Sequence, residues 1–243
     1  ENYSYQLASG SILNFYGGTT NGLNGNNMNI PADGTFKVTG ATVNLSGGAL
    51  NTGNYYQTGG TLQGTCDVNI LEDMNIIGGN FYLLGSTTIS GNLIQSSGYL
   101  GSGTGSSEIN VNGDYLFSGG TIGMYTSALG TVTVNGATIF SGNSDKNIHG
   151  KTLTINGSGS WTEGNLCITG NGKLEIAAEK TFDIDLSSAK IIFNCWSAEA
   201  TVVNKGTIQL SGTSTLTCAV TLDNSGTVEV NGGELKLNST NNL

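Results

Sequence analysis

The chain has 243 residues, of which 39 are glycine and one is proline, and only 10% are Asp, Glu, Lys or Arg, against about 25% in an average soluble domain. The formal charge is −9 and all 8 basic residues are lysine, so the basic stripe that displaces counterions from nucleic acid is missing. No stretch approaches the roughly 20 apolar residues of a membrane-crossing helix, and neither a nucleic-acid partner nor membrane insertion is expected.

Taken in chain order, residues 1–33 are the least regular. Tyr3, Tyr5, Leu7, Ile12, Leu13, Phe15 and Tyr16 supply apolar bulk, and Asn21 to Asn29 is rich in Asn and Gly. This stretch is expected to form less regular N-terminal coils or a cap with a protruding loop. From residue 34 onward one heptapeptide recurs, with apolar residues two apart, the period of a strand. It reads Gly34-Thr-Phe-Lys-Val-Thr-Gly40, Gly130-Thr-Val-Thr-Val-Asn-Gly136, Gly206-Thr-Ile-Gln-Leu-Ser-Gly212 and Gly226-Thr-Val-Glu-Val-Asn-Gly232. Looser copies are Ser107-Glu-Ile-Asn-Val-Asn-Gly113 and Lys151-Thr-Leu-Thr-Ile-Asn-Gly157. The closing glycine is a turn signal, expected to exploit glycine's tolerance of positive φ.

A ten-residue unit follows some of these strands. Its versions are Gly53-Asn-Tyr-Tyr-Gln-Thr-Gly-Gly-Thr-Leu62, Gly91-Asn-Leu-Ile-Gln-Ser-Ser-Gly-Tyr-Leu100 and Gly113-Asp-Tyr-Leu-Phe-Ser-Gly-Gly-Thr-Ile122. Closing glycines at 91, 113, 136 and 157, and at 212 and 232, set a period of about 20–23 residues, the size of one solenoid coil. The pattern predicts an all-β, right-handed parallel β-helix, the hand following from parallel crossovers. One such coil cannot bury its own apolar face, and stacking at about 4.8 Å per coil shares the interior between neighbours. An antiparallel sandwich also has many short strands, but with unequal spacing and more proline. The stretch 179–201 is less punctuated by glycine and reads as a coil with an insertion. No linker divides the chain, so 1–243 reads as a single solenoid. Glu1 in place of Met, and an end without a recognisable cap, lead to the expectation of a segment from a longer secreted chain.

With these repeats in view, the chain resembles the glycine-rich repeat regions of bacterial surface proteins: filamentous-haemagglutinin-like adhesins and autotransporter passenger segments. The resemblance is carried by the heptapeptides, by residues 151–165 and 222–235, and covers roughly 34–240. It implies surface display, adhesion or scaffolding, and brings no catalytic residues with it.

Residues that carry chemistry elsewhere are few. His149, the one histidine, has Asp145 as its nearby acid, but a general base needs a positioned partner, and a loop histidine at a corner is the plainer expectation. Asp183 and Asp185 sit two apart and share a strand face. That geometry suits paired-acid hydrolysis or calcium, and equally a solvated side with Phe182, Ile184 and Leu186 inside. Glu72 and Asp73 point apart. A resemblance to β-helical pectate lyases would require a basic catalytic residue, commonly Arg, and clustered acids, which this chain lacks. A groove holding Asp183 and Asp185 beside Lys190 would mark a polysaccharide lyase or hydrolase.

Cysteines stand at 66, 167, 195 and 218 without Cys-x-x-Cys spacing, so no metal or cofactor is expected. Residues one coil apart lie within disulfide reach, and Cys195–Cys218 is the expected pair, with a ladder of buried thiols as the alternative. Asn2, Asn44, Asn156 and Asn238 fit the N-glycosylation pattern. Tyr55, Tyr56, Tyr99, Tyr115, Tyr125 and Trp161 recur near turns, as core rungs or as a sugar-stacking strip. Thr131/Thr133, Thr152/Thr154 and Thr215/Thr217 are the pairs from which a water-ordering, ice-binding face would be assembled. The leading expectation is a secreted or cell-surface, non-catalytic stalk, filament subunit or adhesin shaft. Copies of itself or neighbouring repeat segments would be its end-to-end partners, and surface glycans its ligands. The alternatives are a glycan- or ice-binding module and a polysaccharide-active enzyme.

Overall fold

A computed structural model of the chain describes residues 7–22, 25–101, 105–124, 128–195 and 199–238. They form three long parallel sheets of 11, 11 and 10 strands, visited in strict rotation. Ile12–Phe15 opens the first sheet, Thr19–Gly22 the second and Met28–Asn29 the third; Thr35–Val38 then returns to the first sheet, on top of Ile12–Phe15. This is a three-sided β-solenoid. Every pairing between main-sheet neighbours is parallel, which removes the sandwich. Counted on the first sheet, coil length runs from 19 residues, Phe36 to Tyr55, to 26, Phe182 to Ile208; the third sheet extends the range to 18, Ala49 to Asp67, and 28, Lys173 to Thr201.

Strand alternation produces the interior. In Thr35–Val38, Thr42–Leu45 and Ala49–Thr52 every second side chain is buried. One row of the first sheet runs Leu13, Phe36, Tyr55, Met74, Leu93, Tyr115 through consecutive coils, and most of these side chains are fully buried. Each fully buried large apolar side chain contributes about 1.5–3 kcal/mol, and the rings of Phe36, Tyr55 and Phe81 touch in sequence.

Of the closing glycines of the heptapeptides, Gly212 has the expected positive φ, at 107°, while the others have a different cause. Gly113 and Gly136 do not adopt positive φ. Instead their N–H groups donate to Gly91 O and Gly113 O at 3.0 and 3.1 Å, and a Cβ on Gly136 would lie 2.3 Å from Gly113 O. These corners need glycine because consecutive coils approach backbone to backbone. Beside them runs a side-chain ladder. Asn54, Asp73, Asn92 and Asp114 each accept, through Oδ1, the N–H of the residue one coil on.

The irregular stretches resolve simply. Ile12–Phe15, Thr19–Gly22 and Met28–Asn29 already pair as the three sides of a coil. Within 179–201, Thr181–Leu186 and Lys190–Phe193 are ordinary rungs of the first and second sheets, and the added length follows Phe193. Two further segments carry extra short strands between the second and third sheets. Their strands Gly105–Ser106 and Ala128–Leu129 pair in a small parallel sheet of their own.

Candidate functional site

Burial inside the stack forces its polar side chains to be satisfied from within. Tyr55 Oη donates to Gln57 Oε1, and Gln57 Nε2 reaches the Asn80 carbonyl. Tyr115 and Gln95 repeat the arrangement. Farther along, Trp161 Nε1 donates to Glu163 O and Gly164 O at the corner between the first two sheets. Lys146 serves the same corner, donating to the carbonyls of Gly142, Ser144 and Glu163. Lys151 is likewise buried. Its ammonium donates to Ser107 Oγ and Leu129 O, tying together the two segments that carry Gly105–Ser106 and Ala128–Leu129. Burial pushes both lysines down to about 8, against the weaker upward pull of Asp145 and Glu163 on Lys146 and of Glu108 on Lys151. These cations cap carbonyls and face the interior; none is presented to solvent as a nucleophile.

The candidate chemical residues do not converge. His149 ends the strand Lys146–His149 and is 6% exposed, with burial lowering its pKa. Asp145 precedes the same strand and accepts from Asn165 Nδ2, about 13 Å of extended backbone away. Histidine and acid thus stand at opposite ends of one strand, and the expected corner loop is a buried strand end. Asp183 and Asp185 do share the outer face of the first sheet, and Asp185 Oδ1 accepts the Ser187 N–H. Lys190, however, is 2% exposed and donates inward to Ser188, so the anticipated groove of two aspartates and a lysine does not form. Among the described residues no group of three His, Cys, Asp or Glu side chains is placed to hold a metal.

The disulfide differs from expectation. Cys167 bonds Cys195, with Cα atoms 5.8 Å apart, while Cys218 is a free buried thiol, as is Cys66. The reason lies in register. Cys218 sits beside Ile192, within the strand, whereas Cys195 lies beyond its end. Leaving the strand lets Cys195 reach Cys167, an outward position of the second sheet paired with Phe193. Burial raises the Cys218 thiol.

The expected rows are also broken. Thr131/Thr133 and Thr152/Thr154 stack directly on the third sheet, but Thr215/Thr217 belongs to the second, so the ordered threonine grid is two coils deep. Tyr55, Tyr115 and Trp161 are core; Tyr56 and Tyr99 face outward on different sheets; Tyr125 lies outside the described residues. An aromatic pair that the sequence reading passed over, Tyr82 and Tyr99, stands on the outer second sheet with ring centroids 6.2 Å apart. Of the sequons, Asn44 and Asn156 donate to Asn21 and Asn135 in outer ladders. Asn238 is exposed, and Asn2 lies outside the described residues.

The most distinctive surface is on the first sheet. Its central outward row reads Asn14, Lys37, Tyr56, Asn75, Ile94, Leu116, Ile139, Ser160, Asp183, Gln209, Glu229. Three aliphatic side chains therefore follow one another on an outer face, with Ile77 exposed alongside at 41%. The signal was present in Tyr115-Leu-Phe117, where alternation demands a polar middle residue.

The fold and this surface define a three-sided β-solenoid with a sealed interior and a patterned exterior. Comparison with protein-family models, curated proteins and solved structures finds no match.

Proposed function

We infer that the chain is a non-catalytic, extracellular structural and adhesive shaft. The observation that carries this reading is the unbroken rotation of strands through three parallel sheets, which commits the interior to packing and leaves the described candidate catalytic side chains apart. A rod of this kind is stiff along its axis because each coil's backbone hydrogen bonds to the next. The Cys167–Cys195 bond supports an oxidising, secreted or cell-surface setting. Extension of the stack, by another copy or by neighbouring repeat segments, would satisfy strand edges at the terminal coils. Glycan contact is the second reading, favoured by the Tyr82–Tyr99 pair, since stacked tyrosines offer apolar ring faces with polar tips.

The test is to secrete the chain through an oxidising compartment, digest it with a broad-specificity protease, and incubate it with a panel of acidic and neutral polysaccharides. The reading expects a long-lived undigested species, binding to cells or glycan-coated surfaces, and unchanged polysaccharide chain length. Catalytic release of reducing ends or unsaturated uronates would overturn the non-catalytic assignment.

A further inference from the structure

The outward row of the first sheet has a symmetry that its sequence order conceals. Counted in rungs, Lys37 is second and Asp183 ninth of the eleven strands. The midpoint between them falls between Ile94 and Leu116, inside the aliphatic stripe. We propose that this face is an isologous docking surface for a second copy of the chain, laid antiparallel and face to face, with a two-fold axis between the Ile94 and Leu116 rungs.

Reversal about that axis sets Ile94 opposite the partner's Leu116 and Asn75 opposite the partner's Ile139. Tyr56 then faces the partner's Ser160, and Lys37 meets the partner's Asp183. Because the contact is isologous, the Lys–Asp meeting occurs twice, about 34 Å apart at the usual spacing of coils. Asp183 is exposed, and Lys37 already lies over the Tyr56 ring at 5.1 Å, along the same outer row.

The flanking rows avoid like charges in the same arrangement. Asp73 falls opposite the partner's Ala137, Asp114 opposite the partner's Asn92, and Asp185 opposite the partner's Thr39. For a chain of net charge −9, a face on which Asp73, Asp114, Asp183 and Asp185 each meet a neutral or basic group on reversal, with Glu229 on the eleventh rung falling past the partner's first, is a specific complementarity. Leu116 and Ile77, at 37% and 41% exposed, gain burial on pairing. The face is one strand wide, so the area covered is at the small end for specific interfaces and the dimer is weak and concentration-dependent.

Sedimentation equilibrium over a concentration series, at moderate ionic strength, tests the arrangement. The wild-type chain should rise from monomer to dimer and stop there, because an isologous contact closes. Lys37→Glu or Asp183→Lys alone should weaken self-association about 10-fold by placing like charges together twice. An equimolar mixture of the two single variants should restore dimer, since each chain then meets an opposite charge at both ends, and the double variant should also recover. Leu116→Lys should abolish pairing, with circular dichroism confirming the fold. A chain that stays monomeric at its solubility limit overturns the proposal. So does a mixture no stronger than the separate variants, or association that ignores all these changes. End-to-end extension of the shaft would be recognised by species larger than dimer that are indifferent to the charge reversal, so the two readings fail separately.

Discussion

The coils from Phe36 to Phe182 and the coils after them share one backbone plan but fill it differently. In the first region Phe36, Tyr55, Phe81, Tyr115, Phe117, Phe140, Trp161 and Phe182 occupy the interior, with rings in contact along much of its length. Beyond Phe182 the inward side chains are mainly aliphatic and none is aromatic, and a small, wholly apolar hollow opens among Phe182, Ile208, Leu210, Leu216, Leu222 and Val228. The strands nevertheless keep full register there, Thr181–Leu186 pairing through six residues with the next coil. Backbone pairing thus sets the cross-section, and side chains fill it well or poorly afterwards. Continuity of the sheets does not measure the quality of the core.

Several substitutions would break or sharpen that contrast. The largest effect is expected for Trp161→Ala, which empties the filled region and removes the indole donor shared by the Glu163 and Gly164 carbonyls, leaving Lys146 as the donor to Glu163 O. It should cost about 3–5 kcal/mol. Leu216→Ala, beside the existing hollow, should cost less, and the order is read from urea midpoints of the two variants. Next comes Gly136→Ala, whose methyl would sit 2.3 Å from Gly113 O. A loss of about 1–3 kcal/mol is expected for such overpacking. Gly17→Ala, with nothing near its Cβ, should change stability by less than about 0.5 kcal/mol. Equal losses at the two glycines would sink the close-approach explanation.

Two of the three buried lysines, Lys146 and Lys151, lie in the filled region and Lys190 lies beyond it. Lys146 and Lys151 have folded pKa values of about 8, below the unfolded value near 10.4. Between these limits the unfolded chain binds more protons, so their contribution to stability rises with pH. Burial raises Tyr55 and Tyr115 above their ordinary range, and that opposes folding above about pH 10. The buried thiols Cys66, pushed up to about 11, and Cys218, also raised, oppose the lysines above about pH 8.5. The lysine contribution is therefore read as a difference: between pH 8 and 10 the thermal midpoint of the wild-type chain should move upward relative to that of Lys146→Met with Lys151→Met by a few degrees (about 2–4 °C per kcal/mol at this size), and identical slopes would assign the pH dependence to other groups. A small effect of opposite sign is expected for Ile208→Phe. It extends the aromatic stack from Phe182, its register partner, and should add about 0.5–1 kcal/mol by filling the hollow.

Much of this architecture was legible because the repeats report directly on backbone period. Gly-Thr-Val-Thr-Val-Asn-Gly announces both a strand and the coil-to-coil spacing, and the alternation tells which residues go in. What the sequence concealed depends on neighbours one coil away. Cys195 and Cys218 are a plausible coil apart, yet the chain leaves its strand after Phe193, and that departure, invisible in spacing, decides the partner. Lys190 could not be assigned an inward direction from its type, because a buried lysine is tolerated only where backbone carbonyls converge on it. Leu116 was readable as a break in alternation, but its meaning as an outer stripe required knowing that Ile94 and Ile139 lie directly beneath and above.

The extra strands Gly105–Ser106 and Ala128–Leu129, and the added length of the longest coil, all fall between the second and third sheets, while the register on either side is undisturbed. The molecule therefore has a margin along which residues can be gained or lost without rephasing any strand. Whole coils, too, meet only the turns adjoining them. Such a plan lets mutation alter the length of the rod and the ornament on one edge independently, so reach and recognition can evolve on separate schedules within a single gene product.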